Sequence, residues 1–107
     1  AVFLSASSCE LAPAQVGSRS PAGDSVEGVH DLAGNVAEWV ADWYDRYRAG
    51  AQTDPTGPDN SDGSLTLRVM RGGGFLDPEP SIRTTARWGT DPMDRAEGTG
   101  FRCVYRP

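Results

Sequence analysis

Few residues in this chain could do chemistry, and each suits a different kind. Asp31 and Glu38 are carboxylates on either side of Gly34 in a short segment. Hard oxygen donors around a flexible loop are what calcium takes. The same residues serve equally well as a turn residue and a helix cap. The two cysteines, Cys9 and Cys103, are too far apart for a zinc knuckle or a CxxC redox motif. Paired, they would close almost the whole chain, worth on the order of 4 to 5 kcal/mol by the chain-entropy argument. Unpaired, they are two buried thiols, and composition leaves that choice open. His30 is the single histidine and reads as structural. The loop around Trp88, Asp91, Asp94 and Arg95 carries both charges and by itself reads as a solvated surface loop. The serines beside glycines make no nucleophile elbow, so hydrolase chemistry has no support.

The elements that must position these groups are short. The chain has 107 residues, 37% hydrophobic, with 13 Gly and 8 Pro, so it is one loop-rich domain at most. Three Trp, three Tyr and three Phe supply large surfaces to bury and argue against disorder. A net charge of −5 disfavours nucleic acid and anionic membrane as partners and suits a hard cation. No apolar run approaches a membrane span. The opening AVFLSASS is short and has no basic n-region, so it is not a signal peptide.

Residues 1–27 show no period. Val36, Trp39, Val40, Trp43, Tyr44 and Tyr47 then follow the spacing of one helix face, which predicts a helix with Trp39, Trp43 and Tyr44 in the core. Asn35 would cap it, with Glu38 completing a capping box and Gly50 as the stop. Residues 50–64 read as a turn-rich loop. Alternation predicts strands over 65–70, 82–87 and 101–105. Gly72, Gly73 and Gly74 between them signal a bulge or a close backbone approach. Arg71 and Arg87 are candidate partners for acidic groups. The fold class is α+β with one helix and short strands.

The run from Gly28 to Trp39, with Asp31, Gly34, Asn35, Val36 and Glu38 in place, resembles the "G-x-x-D-M-x-G-N-V-x-E-W" signature of the formylglycine-generating-enzyme (sulfatase-modifying-factor) family. Asp42-Trp43-Tyr44, Asp54-Pro55-Thr56-Gly57-Pro58, Arg68–Phe75 and Gly100-Phe101-Arg102-Cys103 match later family motifs in order. The resemblance implies a loop-rich, C-type-lectin-like fold, with residues 1–107 as the C-terminal portion of one such domain. The missing N-terminal half of that domain, or another chain, is then the expected partner.

The resemblance also implies site residues. Asp31, Gly34, Val36 and Glu38 match a structural calcium site, with side-chain oxygens from the outer two and carbonyls from the inner two. The cysteine of the closing motif is disulfide-bonded in extracytoplasmic relatives, which favours a Cys9–Cys103 bond and an extracytoplasmic or secreted protein. Related sulfoxide synthases hold substrate with Asp and Arg in the loop that here carries Trp88, Asp91, Asp94 and Arg95. The copper-binding cysteine pair of the true enzymes is replaced by Asp77 and Ile82, which offer copper(I) no soft thiolate. Formylglycine generation is therefore not expected of this chain by itself, and copper is not an expected cofactor. The alternative is a non-catalytic, lectin-like module that binds a peptide, a protein or a small molecule.

Overall fold

The computed structural model describes residues 12–105. Its centre is a four-stranded mixed sheet in the order β3-β2-β1-β4. Here β1 is Ala37–Trp43, β2 is Arg68–Arg71, β3 is Trp88–Thr90 and β4 is Thr99–Gly100. β1 runs antiparallel to β2 and parallel to β4, so it is paired on both sides. β2 pairs antiparallel with β3. Among the described residues the helical content is one 3₁₀ turn, Glu79–Ile82. The fold is the loop-rich, lectin-like one expected, with a mixed sheet and little helix.

The helix expected over 36–47 is strand β1, and a bulge explains the disguise. Trp39 faces Met70 and Trp43 faces Arg68, so four steps along β1 answer two along β2. The extra residues stretch the two-residue strand repeat into spacings of three and four, which imitate a helix face. The residues themselves, Val36, Trp39, Val40, Trp43 and Tyr44, are β-branched or aromatic and suit a pleated surface. Asn35 does not cap a helix. Its φ is +70°, whereas a helix N-cap is extended.

The other boundaries move for local reasons. β2 starts at Arg68 rather than at residue 65 because the Asn60 side chain takes both backbone groups of Leu65. Leu65 N–H donates to Asn60 Oδ1 at 2.7 Å, and Asn60 Nδ2 donates to the Leu65 carbonyl at 2.9 Å. The strand expected over 82–87 is absent. Pro78 and Pro80 open the 3₁₀ turn, and Ala86 N–H then closes a turn on the Arg83 carbonyl at 2.9 Å. The last strand lies at Thr99–Gly100, and residues 101–105 run on outside any ladder.

Among the described residues the buried apolar side chains are Ala37, Val69, Met70 and Phe75, all from the sheet or the glycine run beside it. Cationic groups extend this thin core. Arg68 lies over the Trp43 ring at 3.5 Å, and Arg87 over the Tyr47 and Tyr44 rings at 3.9 and 4.8 Å. Arg87 Nη2 also donates to the Asp45 carbonyl at 2.6 Å, and Arg71 Nη2 to that of Thr84. Both arginines therefore meet carbonyls rather than the acidic groups expected.

The glycine run is the close approach that its composition signalled. Gly73 has φ +67°, and a Cβ there would lie 2.8 Å from Ile82 Cγ2 and 3.1 Å from the Ser81 carbonyl oxygen. Gly63 has a similar φ of +70° but open space around it. Alanine at Gly63 meets only the left-handed penalty, about 1–2 kcal/mol. At Gly73 it adds an overpacking cost of about 1–3 kcal/mol. Urea unfolding of Gly73→Ala and Gly63→Ala should show the larger loss at Gly73, and equal losses would refute the packing account.

Candidate functional site

Asp31, Gly34 and Asn35 have φ of +54°, +78° and +70°, so three of five consecutive residues are left-handed. Only Gly, Asn and Asp adopt that conformation readily. The Asp-x-x-Gly-Asn run is thus a backbone prescription before it is anything else. Asn35 is buried and its side chain pairs with Ala14 in both directions, Ala14 N–H to Oδ1 at 2.8 Å and Nδ2 to the Ala14 carbonyl at 3.2 Å. The Asn35 carbonyl accepts Phe75 N–H at 2.9 Å, and Gly34 N–H donates to the Gly72 carbonyl at 2.7 Å.

This loop and the start of β1 bring the four expected cation ligands together. Asp31, Gly34, Val36 and Glu38 line one cavity of about 490 Å³, with His30, Phe101 and Arg102. Asp31 Oδ2 accepts Gly17 N–H at 2.7 Å. Among the described residues no three His, Cys, Asp or Glu side chains converge on a point, so carbonyls would have to complete any metal shell. A cationic group already sits here. Arg102 Nε donates to Glu38 Oε2 at 2.6 Å, Nη1 to the His30 carbonyl at 3.0 Å and Nη2 to the Asp31 carbonyl at 3.2 Å. Nη2 also reaches Glu38 Oε1. The Glu38 hydrogen bonds push the Arg102 pKa up. Every group gripping the guanidinium is a hard oxygen. Of those groups only Glu38 is also one of the four expected ligands, whose two carboxylates and two carbonyls are themselves hard oxygens of the kind calcium takes.

Sequence reasoning missed Arg102 as a site residue. Its only signal was its place inside the Gly100–Cys103 motif. His30 contributes its carbonyl here while its ring turns away to Asp24, Nδ1 to Oδ1 at 2.7 Å. That pairing raises the His30 pKa and, with a 2.8 Å bond from Ser20 Oγ, lowers that of Asp24.

A second cavity, of about 630 Å³, joins the glycine run to the loop between β3 and β4. Trp88, Asp94 and Arg95 line it with Met70, Leu76 and Asp77. Asp91 does not. It builds its own turn, Oδ1 accepting Met93 N–H at 2.9 Å and its carbonyl accepting Asp94 N–H at 2.9 Å. Asp77, at one of the two expected copper positions, folds back so that Oδ2 accepts Gly74 N–H at 2.8 Å. Ile82, at the other, packs near Gly73 and is not part of this cavity's lining. Cys103 is exposed, while Cys9 lies outside the described residues, and so does the expected bond between them.

Residues 4–107 match the family described as "Sulfatase-modifying factor enzyme 1-like domain". The formylglycine-generating enzyme of Thermomonospora curvata is 38% identical over 88 residues, 75% of this chain and 28% of that protein. The Streptomyces coelicolor enzyme is 35% identical over 99 residues, 88% of this chain and 29% of its own length. A mouse protein named inactive C-alpha-formylglycine-generating enzyme 2 is 33% identical over 82 residues, 72% of this chain and 21% of its own. Among solved structures, Treponema denticola variable protein 1 superposes with a TM-score of 0.71 at 30% identity, over 85% of this chain and 31% of that one. The chain thus spans less than a third of the length of each of these relatives.

The His30–Asp24 pair makes a pH prediction. His30 is raised above 6.5, so its contribution to stability is full below that unfolded value and fades as pH rises through the folded one. Asp24 is lowered below 3.8, so its contribution is present above that value and fades as pH falls through the folded one. An NMR titration of the imidazole should give a midpoint above the ordinary histidine value, and Asp24→Asn should bring it back. A midpoint indifferent to that substitution would disprove the pairing.

Proposed function

The chain belongs to the sulfatase-modifying factor enzyme 1-like family, and from that membership we propose a portion of a formylglycine-generating-enzyme-like domain, stabilised by calcium and not competent to generate formylglycine by itself. The observation that carries the calcium half is the gathering of Asp31, Gly34, Val36 and Glu38 around one cavity whose oxygens already grip a cation. When bound, calcium would supply a crosslink between the left-handed loop and β1. Among the described residues few side chains are buried, and that crosslink would support the fold by mass action. The chemical half rests on the thiols. Cys9 and Cys103 are the whole complement, and Asp77 and Ile82 stand where the paired cysteines would be.

A second reading is favoured by the Trp88–Asp94–Arg95 cavity. A concave surface that mixes apolar walls with a few charges is how small ligands are held. With the likeness to a Treponema variable protein, it supports a non-catalytic module that binds a peptide or small molecule on loops carried by a rigid sheet. Under either reading the rest of a family domain, on this chain's own polypeptide or on another, is the proposed partner, and the location is extracytoplasmic. Among the described residues no helix is long and apolar enough to cross a membrane.

Asp31→Asn tests the calcium role cleanly, because an amide oxygen can still accept Gly17 N–H while the charge is lost. Thermal unfolding under non-reducing conditions should show this variant destabilised in calcium and close to the parent in chelator. Equal losses in both buffers would count against the site. For the chemistry, incubation with a cysteine-containing sulfatase-type peptide, copper(I) and oxygen should yield no aldehyde. Aldehyde above the protein-free control would overturn the non-catalytic assignment.

A further inference from the structure

We propose that a cavity beside β1, lined by Trp39, Arg71 and Arg83, is a binding site for a small apolar molecule that carries one carboxylate. The site is separate from the Trp88–Asp94–Arg95 cavity, and its case needs no bound calcium.

The case begins with charge. The cavity measures about 610 Å³, and among the described residues its lining carries three arginines, Arg71, Arg83 and Arg102, against one acid, Glu38. Glu38 is already matched, because Arg102 holds both of its oxygens. Arg71 and Arg83 are left as uncompensated positive charges on a chain whose net charge is −5. Arg71 Nη2 donates to the Thr84 carbonyl, which anchors that guanidinium next to the backbone that carries Arg83. Arg83 is exposed, and among the described residues its side chain has no hydrogen bond, ion pair or ring contact. A guanidinium is a planar fork of donors that fits the two oxygens of a carboxylate.

The walls supply the apolar half. Leu32, Trp39, Val40 and Val104 line the same cavity. Leu32 is 48% and Val104 79% exposed, so a guest here would cover apolar surface that now faces water. A cavity of this size, largely apolar with a few charged groups, is the form that small-molecule sites take. A peptide strand suits it less. Such a strand would add along β1 beyond Glu38, where β4 no longer pairs. Arg102 and Val104, which follow β4, line the cavity there with Trp39 and Ala41.

The experiment is an NMR titration of the chain with octanoate, following the indole N–H signals of Trp39, Trp43 and Trp88. Tryptophan-to-phenylalanine variants assign each signal. The Trp39 signal should move to saturation while that of Trp88, in the other cavity, stays. Octanol should bind about ten-fold more weakly than octanoate, the usual loss when a charge-assisted hydrogen bond is removed. Arg83→Gln should weaken octanoate by about the same factor and leave octanol unchanged. Because Arg83 bonds to no other described side chain, this substitution removes nothing that holds the fold. Arg83→Lys should fall between the parent and Arg83→Gln, keeping the charge and losing the fork. No octanoate binding, a shift of Trp88 in place of Trp39, or parental affinity in Arg83→Gln would overturn the site. Octanol or octylamine binding as tightly as octanoate would overturn the role of the arginines. Octyl phosphate binding more tightly than octanoate would overturn the carboxylate as the ligand class.

Discussion

The described structure depends on one buried amide. Asn35 pairs its side chain with the backbone of Ala14 as a strand would, and its carbonyl takes the N–H of Phe75. Three separate stretches, the irregular N-terminal region, the entry to β1 and the exit of the glycine run, therefore meet at a single residue. A left-handed Asn is what lets one residue face both ways. A buried amide is costly unless fully bonded, so this arrangement is held or lost as a unit. Several candidate site residues lie close to it along the chain. Glu38 follows on β1, Asp31 precedes it in the loop, and Phe75 leads into the cavity that Asp77 lines.

The residues around the first cavity were picked out by the resemblance, and the backbone gives a physical reason for part of that pattern. Left-handed backbone admits few residue types, so Asp31, Gly34 and Asn35 leave a pattern that a single chain displays openly. The three glycines at 72–74 were legible in the same way, since close approach excludes side chains. The helix over 36–47 was a misreading because periodicity reports spacing alone. A bulged strand and a helix can present the same spacing, and only the partners of β1 on both sides decide between them. The strands around 65–70 and 101–105 were placed nearby but misplaced at their ends, where the Asn60 side chain and the absence of a ladder partner set the limits. The strand over 82–87 yielded to two prolines that alternation does not weigh. Arg102 could not be found by pattern, since its partners lie far away in sequence.

The two cavities divide the chemistry. One gathers oxygens from the backbone as much as from side chains, and the Arg102 guanidinium lies among them. The other has apolar walls from Met70, Leu76 and Trp88 with charge at its edge from Asp94 and Arg95. Asp77 accepts Gly74 N–H, so its carboxylate maintains a turn on this cavity's wall.

The parallel pairing of β1 with β4 has a consequence for how such a chain is made. Ala37 meets Thr99, so the central strand keeps one side unsatisfied until nearly the whole segment exists. On a ribosome, which adds roughly 5–20 residues per second, β1 would wait for seconds with open backbone groups and exposed tryptophans. Contacts so distant in sequence also close slowly once both ends are free.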